Sequence, residues 1–405
     1  GGSVFGSLGL PGQRLLNIAM GAVLRRIYRR RRSRIGGFRS VIGSEPAALM
    51  AKEILTPGQR QIRAVFISAG NPVLSVPNGP ELESALESVE LSVGLDFYLT
   101  ETTSHCDYVL PVTTMYERDD FPLTFQMFQA TPFRQATEAV VDPPGQVRQE
   151  WQIVGDLIGR LAGVSTAFAT FGVANRLMRR IGIEFTPRTL ADGIIRVCAG
   201  GDRFGLRRSG LTFDRLTGEH VHGTVIDDHL ATGVLGSVIG YPKRRIRLAH
   251  HDIAAEITGL THREEPEGFP LRMVGMRETR SENSWMHNAP LLMRGGRAQR
   301  GVINVDDAAE LGISDGAEVT VSSPYGRISL PVCVTEDIVR GVIAVPHGWG
   351  HQGTGGWRLA NRAGGANVNQ LTSSDPEDVE ALSGMAWLTG VPVRLDKVGA
   401  GPDQP

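Results

Sequence analysis

Four polar stretches of this 405-residue chain carry side chains suited to holding a phosphorylated, ring-containing ligand. The first opens with Ser68-Ala69-Gly70-Asn71-Pro72, where an apolar run breaks off into a turn. Backbone N–H groups exposed after a strand, beside a glycine that lets a phosphate approach the main chain, make a generic diphosphate site. Asp96 ends the next apolar run, and a carboxylate there either accepts hydrogen bonds from a sugar or base edge or caps a helix. Thr100, Glu101, Thr102 and Asp107 add hydroxyls and carboxylates just behind it. The second stretch, Arg277 to Asn288, combines an anion-binding arginine with polar groups on Ser284, His287 and Asn288 and with the plane of Trp285, which suits a diphosphate next to a fused ring. In the third, Pro346 to His351, His347 and His351 stand at i and i+4 around Gly348, Trp349 and Gly350. The glycines argue against a single helical face and no third metal ligand is close, so this stretch reads as a ligand-facing loop with no metal assigned. The fourth, Gly364 to Thr372, contains Asn367 and Asn369, whose amides supply both the donor and the acceptor that a heterocycle edge asks for. Catalytic residues are not identified from the sequence.

The first stretch is positioned by a βαβ unit. Ile62 to Ser68 and Leu91 to Tyr98 read as strands, joined by a helix over Pro80 to Ser88 with Leu82, Ala85 and Leu86 at helical spacing. Asp107 to Pro111 runs into a third short strand, and Glu45 to Leu55 forms a helix ahead of the unit, stopped by Thr56-Pro57-Gly58. Ligands of such a unit sit beyond the carboxyl ends of its strands. Thr131 to Val141 reads as extended, and Arg148 to Leu161, Phe168 to Ile181 and Thr189 to Cys198 as helices. Periodicity fades between Gly200 and Glu267, where His220, His222, His250 and His251 read as surface residues. From Pro270 onward short β-rich runs appear at Leu271 to Val274, Val302 to Val305, Glu318 to Ser322, Arg327 to Val334 and Gly341 to Val345, with a helix over Asp306 to Leu311. Many short strands separated by turn residues indicate a barrel or sandwich.

Composition narrows the classes. A chain of this length with 41% hydrophobic residues buries two cores or more, and its net charge of −1 gives no electrostatic case for nucleic acid. Seven arginines between Arg25 and Arg34 read as a solvated face, with a phosphate, membrane-surface or nucleic-acid patch as the alternatives. Leu15 to Leu24 is about half the length a bilayer needs, so no transmembrane segment is expected, and nothing around it resembles a signal peptide. The three cysteines, Cys106, Cys198 and Cys333, are far apart and match no disulfide framework, iron–sulfur site or zinc finger, which points to a reducing, cytoplasmic compartment.

The polar stretches themselves resemble the molybdopterin oxidoreductase family, in which a strand ending in N-P is followed by D-x-(F/Y)-x-T-E-T and A-D-Y-V-L-P. Here these are Asn71-Pro72, Asp96 to Thr102 and Cys106 to Pro111. Arg277 to Asn288 is similar to the family's G-R-R…N-S-W-M-H-N, with Met276 in place of one arginine, and Gly365 to Thr372 is similar to G-x-N-x-N-x-L-T. Asp307 to Gly316 resembles the family's carboxyl-terminal barrel motif. The resemblance implies an α/β fold, a Rossmann-like parallel-sheet domain followed by a double-psi β-barrel. Its expected divisions are a lead segment over 1–58, a partial α/β domain over 59–265 and a molybdopterin dinucleotide-binding barrel over 266–405. It also implies a molybdopterin guanine dinucleotide cofactor with molybdenum or tungsten, held by Ser68, Gly70, Asn71, Pro72, Asp96, Thr100, Glu101, Thr102, Asp107, Arg277, Ser284, Trp285, His287, Asn288, His347, Gly348, Trp349, His351, Asn367 and Asn369. The implied reaction moves two electrons or an oxygen atom to or from a small substrate, with an electron-transfer partner. The family's cysteine-ligated [4Fe–4S] cluster and protein ligand to the metal are not matched here, so both are expected in a missing amino-terminal region or a separate chain. On that expectation the 405 residues alone are colourless and inactive. The alternative is a structural subunit of a redox complex that shares the fold without molybdenum.

Overall fold

The computed structural model describes residues 32–41, 43–127, 129, 131–161, 177, 180–182, 186–229, 245, 248–260, 266–352 and 357–398. The apolar stretch Leu15 to Leu24, most of the arginine run and most of the helix expected over Phe168 to Ile181 lie outside these residues. The described residues divide into two compact units. Those within Ile27–Leu110 and Ala249–Pro405 form one unit, and those within Pro111–Leu248 form the other.

In the first unit, β1 (Ala64–Ser68) and β2 (Leu91–Asp96) pair in parallel from Ala64 opposite Leu91 to Ser68 opposite Leu95. With β3 (Tyr108–Pro111) they form a three-stranded sheet in the order β1-β2-β3. The crossover is the helix Gly79–Ser88, which places Pro80 in its first turn, where no backbone donor is needed. Its Leu82, Ala85 and Leu86 are buried with Ile67, Val73 and Val76, and with Ala51 and Ile54 of the helix Met50–Leu55. The second strand stops at Asp96, two residues short of the expected Tyr98, because the Asp96 carboxylate turns back to accept from the next two backbone amides.

The other unit holds the helices Glu150–Arg160 and Pro187–Val197, the latter capped by Thr186, whose hydroxyl accepts from Thr189 N. Ala136, Ala191, Ile195, Leu211, Phe213 and Leu216 form its core. Arg188 lies 4.3 Å over the Phe213 ring and pairs with Asp119, Glu138 and Asp214. Of the extended stretch expected over Thr131 to Val141, only β4 (Phe133–Arg134) pairs as a strand, with β5 (Thr224–Val225). The rest makes turns and a single bridge from Thr137 to Asp120. None of the candidate site residues falls in this unit.

The barrel belongs to the first unit and contains β6 (Leu271–Met276), β7 (Gly301–Asn304), β8 (Glu318–Ser322), β9 (Arg327–Thr335), β10 (Val342–Pro346) and β11 (Thr389–Lys397), closed in the order β10-β6-β11-β8-β9-β7. Alternate residues fill its interior: Val319 and Val321, then Ile328, Leu330 and Val332, then Val391, Val393 and Leu395. This is the period-two pattern of strands with one buried face. The last strand, β11, was not anticipated, because Gly390 and Pro392 interrupt its pattern. In the fold Gly390 takes a positive φ at a register shift, and Pro392 precedes Arg394, where pairing with β8 begins, so the missing N–H removes nothing from that ladder. Leu330 is 1% exposed at the centre of this core. Leu330→Ala is expected to cost about 2–5 kcal/mol, read as a lower denaturation midpoint with an unchanged denaturant slope.

Candidate functional site

The turn after β1 is tied to the loop after β2 by a buried network. Asn71 donates from Nδ2 to Glu101 Oε2 at 2.6 Å, and its Oδ1 accepts from the Thr102 hydroxyl at 2.7 Å. The Thr102 hydroxyl in turn accepts from Val73 N at 3.0 Å. The second carboxylate oxygen of Glu101, Oε1, accepts from Gln352 N at 2.7 Å and lies 3.4 Å from Nδ1 of His351, whose side chain is fully buried. Burial alone would raise the Glu101 carboxyl, but the neighbouring His351 ring and the hydrogen bond from Asn71 outweigh it and hold the group at about 2.

The barrel loops bring their rings to the same place. Gly348 and Gly350 have φ values of +83° and +89°. A Cβ on Gly348 would overlap the Asn283 carbonyl, and one on Gly350 would overlap the Asn367 amide, so only glycine lets the loop lie between those two segments. Trp349, held between them, stacks on His287 with ring centres 4.2 Å apart and donates from Nε1 to Glu278 at 2.8 Å. His351 packs against His287 at 5.5 Å and against Trp357 at 5.0 Å, and Trp357 stacks on Tyr98 at 4.5 Å. Trp285 closes the cluster, 5.8 Å from Trp357. Burial pushes the His287 imidazole down to about 4, helped by its electrostatic interactions with His351 and Arg297. Four buried ring nitrogens of the cluster, His287 Nδ1, both nitrogens of His351 and Trp357 Nε1, make no hydrogen bond of good geometry.

A cavity of about 380 Å³ opens beside this cluster, lined among others by Arg277, Ser284, His347, Gly348 and Asn369. Three of the four polar stretches therefore meet at one cavity, and the turn after β1 contributes Leu74 and Ser75 to it. The individual residues divide into two groups. Asn71, Glu101 and Thr102 are buried in the network with His351, Pro72 is buried beside Asn71, and Trp285, Trp349 and His287 belong to the ring cluster. Asn288 accepts from Leu359 N at 3.0 Å, in the first turn of a helix over Arg358–Ala363. Other residues are occupied by the chain itself. Asp96 Oδ1 accepts from Phe97 N and Tyr98 N in a turn, and no helix follows for it to cap. Asp107 braces Ser92, and Thr100 pairs with Thr103. Asn367 and Asn369 donate to the carbonyls of Val73 and Leu74, joining the barrel loop to the turn after β1. Ser68 and Gly70 stand outside the cavity, with Ser68 exposed.

His347 and His351 point to different partners, Met276 O and Glu101, so they do not form a ligand pair. His250, His251 and Asp252 bring their ligand atoms within 4.8 Å of one another, a grouping that spacing had assigned only to the surface, and His251 is indeed exposed. Sequence reasoning passed over Glu278, Ser281, Arg297, Gln299 and Trp357. Gln299 donates to the carbonyls of Pro346 and Ala366 and accepts from Ala366 N, which fixes two of the loops. A usable signal existed for Arg297 and Trp357, each of which directly follows a Gly-Gly pair.

With this geometry in place, comparison with known proteins is direct. A family model described as "Molydopterin dinucleotide binding domain" matches residues 271–385, and one described as "Molybdopterin oxidoreductase" matches residues 5–160. The chain belongs to the molybdopterin oxidoreductase family. Among its relatives are an F420-dependent formate dehydrogenase subunit alpha of Methanocaldococcus jannaschii, 25% identical over 74% of this chain and 40% of that one, and a trimethylamine-N-oxide reductase of Haemophilus influenzae, 26% identical over 75% and 39%. The acetylene hydratase of Pelobacter acetylenicus shares the fold, with a TM-score of 0.57 at 19% identity over 88% of this chain and 47% of that one. The chain spans less than half the length of each of these proteins. Among the described residues no helix is long and apolar enough to cross a membrane.

Proposed function

We propose that this chain binds a molybdopterin guanine dinucleotide in the cavity lined by Arg277, Ser284, His347, Gly348 and Asn369 and forms the carboxyl-terminal part of a cytoplasmic oxidoreductase acting on a small molecule. The observation that carries the reading is the convergence of separate polar stretches on that one cavity. The residues present fit the group. Arg277 supplies an exposed guanidinium for a diphosphate, and Gly348 leaves the main chain bare at the cavity wall. Beside the cavity, the buried nitrogens of His287, His351 and Trp357 without hydrogen bonds of good geometry are the polar groups left over for a pterin edge. When bound, the metal and its dithiolenes supply the two-electron or oxygen-atom chemistry. The chain's part is to orient and enclose the cofactor. Glu101 keeps a negative charge beside His351, and the Trp285, Trp349 and Trp357 rings exclude water. In this reading the barrel has double-psi topology and the sheet is the Rossmann-like half of the cofactor site. An iron–sulfur cluster, a protein ligand to the metal and an electron-transfer partner come from outside the described residues. Cys106 and Cys198 support this, since burial raises both thiols, Cys106 to about 11, and disfavours the ligating thiolate.

The test is the pterin, guanine nucleotide, molybdenum and tungsten content of the purified full-length gene product, with and without Arg277→Ala. Loss of a charge-assisted hydrogen bond worth roughly 1.5–3 kcal/mol should lower cofactor retention about tenfold to a hundredfold. A protein free of pterin in a molybdate- and tungstate-replete host would favour instead a structural subunit with this fold.

A further inference from the structure

His287 is the most constrained ring of the cluster, and its surroundings decide which of its nitrogens holds the proton. Ser281 Oγ lies 2.7 Å from His287 Nε2. The same oxygen accepts from Arg297 Nη2 at 2.7 Å, and Arg297 is anchored 3.2 Å from Glu278, which also accepts from Trp349. A guanidinium can only donate, so Ser281 Oγ is an acceptor toward Arg297. If His287 also donated from Nε2, the hydroxyl hydrogen would have no acceptor among the described residues. If the hydroxyl donates to a bare Nε2, both sides of the Ser281–His287 contact are satisfied, and the single proton of the neutral ring sits on Nδ1.

We propose that Ser281 and Arg297 are positioning residues that lock His287 as a neutral imidazole protonated at Nδ1, so that the ring offers the site a fixed hydrogen-bond donor and not a base. The charged form is disfavoured as well, since the ring is fully buried and faces the guanidinium of Arg297. Nδ1 is buried without a hydrogen bond of good geometry, and the Gly348 backbone favours a proton on the ring. Gly348 also lines the cavity, so the donor stands directly behind the cavity wall. Its partner is then an acceptor, either a ring nitrogen or a carbonyl oxygen of the bound heterocycle. That assignment rests on the cofactor reading above, whereas the tautomer does not.

The lock is tested on the full-length chain, freed of cofactor and labelled with ¹⁵N-histidine, by long-range proton–nitrogen correlation at pH 7. The His287 signals are identified by their loss in His287→Gln. The expected spectrum shows a protonated Nδ1 and a bare Nε2, and the ring stays neutral when the pH is lowered to 5.5. Ser281→Ala should lose this preference and give the Nε2–H form or a mixture, and Arg297→Met should move in the same direction. An Nε2–H or imidazolium ring in the unaltered chain would overturn the proposal. So would an unchanged tautomer in a folded Ser281→Ala. If either variant fails to fold, the spectrum of the unaltered chain still decides. Pterin content measured alongside keeps the two readings apart: a lost tautomer with undiminished retention leaves the lock standing and removes the cofactor as the partner of Nδ1.

Discussion

Glu101→Ala is expected to lower folding stability by about 3–5 kcal/mol, the cost of taking one partner out of a buried charged network. The carboxylate is 6% exposed and is the acceptor for Asn71 Nδ2 and Gln352 N, with His351 Nδ1 beside it. Removing it leaves the buried Asn71 amide without its acceptor and His351 without its counter-charge, and it frees the turn after β1 from the barrel loop at the same time. The pH dependence of the unaltered chain has two stages. The His287 pKa falls from 6.5 to about 4 on folding, so its contribution is complete above about pH 6.5 and is lost as the pH falls through 4. The Glu101 pKa falls from 4.5 to about 2, so its contribution is complete above about pH 4.5 and is lost as the pH falls through 2. Each shift corresponds to about 3 kcal/mol. Thermal unfolding followed from pH 8 to pH 2 should show both declines, and Glu101→Gln should remove the lower one only. A low-pH limb of undiminished size in Glu101→Gln would show that the carboxylate is not held as described.

Gly348→Ala is expected to be comparably severe, at about 2–5 kcal/mol, and to act mainly on the site. Two costs combine there. The backbone sits at φ +83°, a conformation that costs an alanine on the order of 1–3 kcal/mol, and the new methyl overlaps the Asn283 carbonyl, which adds an overpacking cost of similar size. The loop can relieve both only by moving away from Asn283 and Ser284, which displaces Trp349 from His287 and opens the cavity wall. Tryptophan fluorescence and cofactor retention should therefore change together. Ala298→Gly, at an exposed position in a neighbouring loop, should leave both unchanged. Retention equal to the unaltered chain in Gly348→Ala would place the cofactor elsewhere.

Local pattern was enough for the βαβ unit and for five of the six barrel strands. Ala64 to Ser68 and Leu91 to Asp96 are short β-rich runs between turn residues, and Val319, Val321, Ile328, Leu330 and Val332 alternate as a half-buried strand must. The polar stretches were legible for the same reason, since each is a compact string of donors, acceptors and rings. Tertiary structure decided what those groups bind. Asp96, Asn367 and Asn369 have the chemistry to read a ligand edge, yet they are drawn into the backbone, because a buried amide or carboxylate takes whatever donor or acceptor packing places beside it. Arg297 and Glu278 act on His287 through Ser281 across a separation in sequence that no period encodes. The final strand, broken by Gly390 and Pro392, becomes a strand only because β6 and β8 offer it two edges to close. Residue types and their spacing thus set the elements and the inventory of the site, while the three-dimensional neighbours of each buried polar atom determine which of those residues remain available to a ligand.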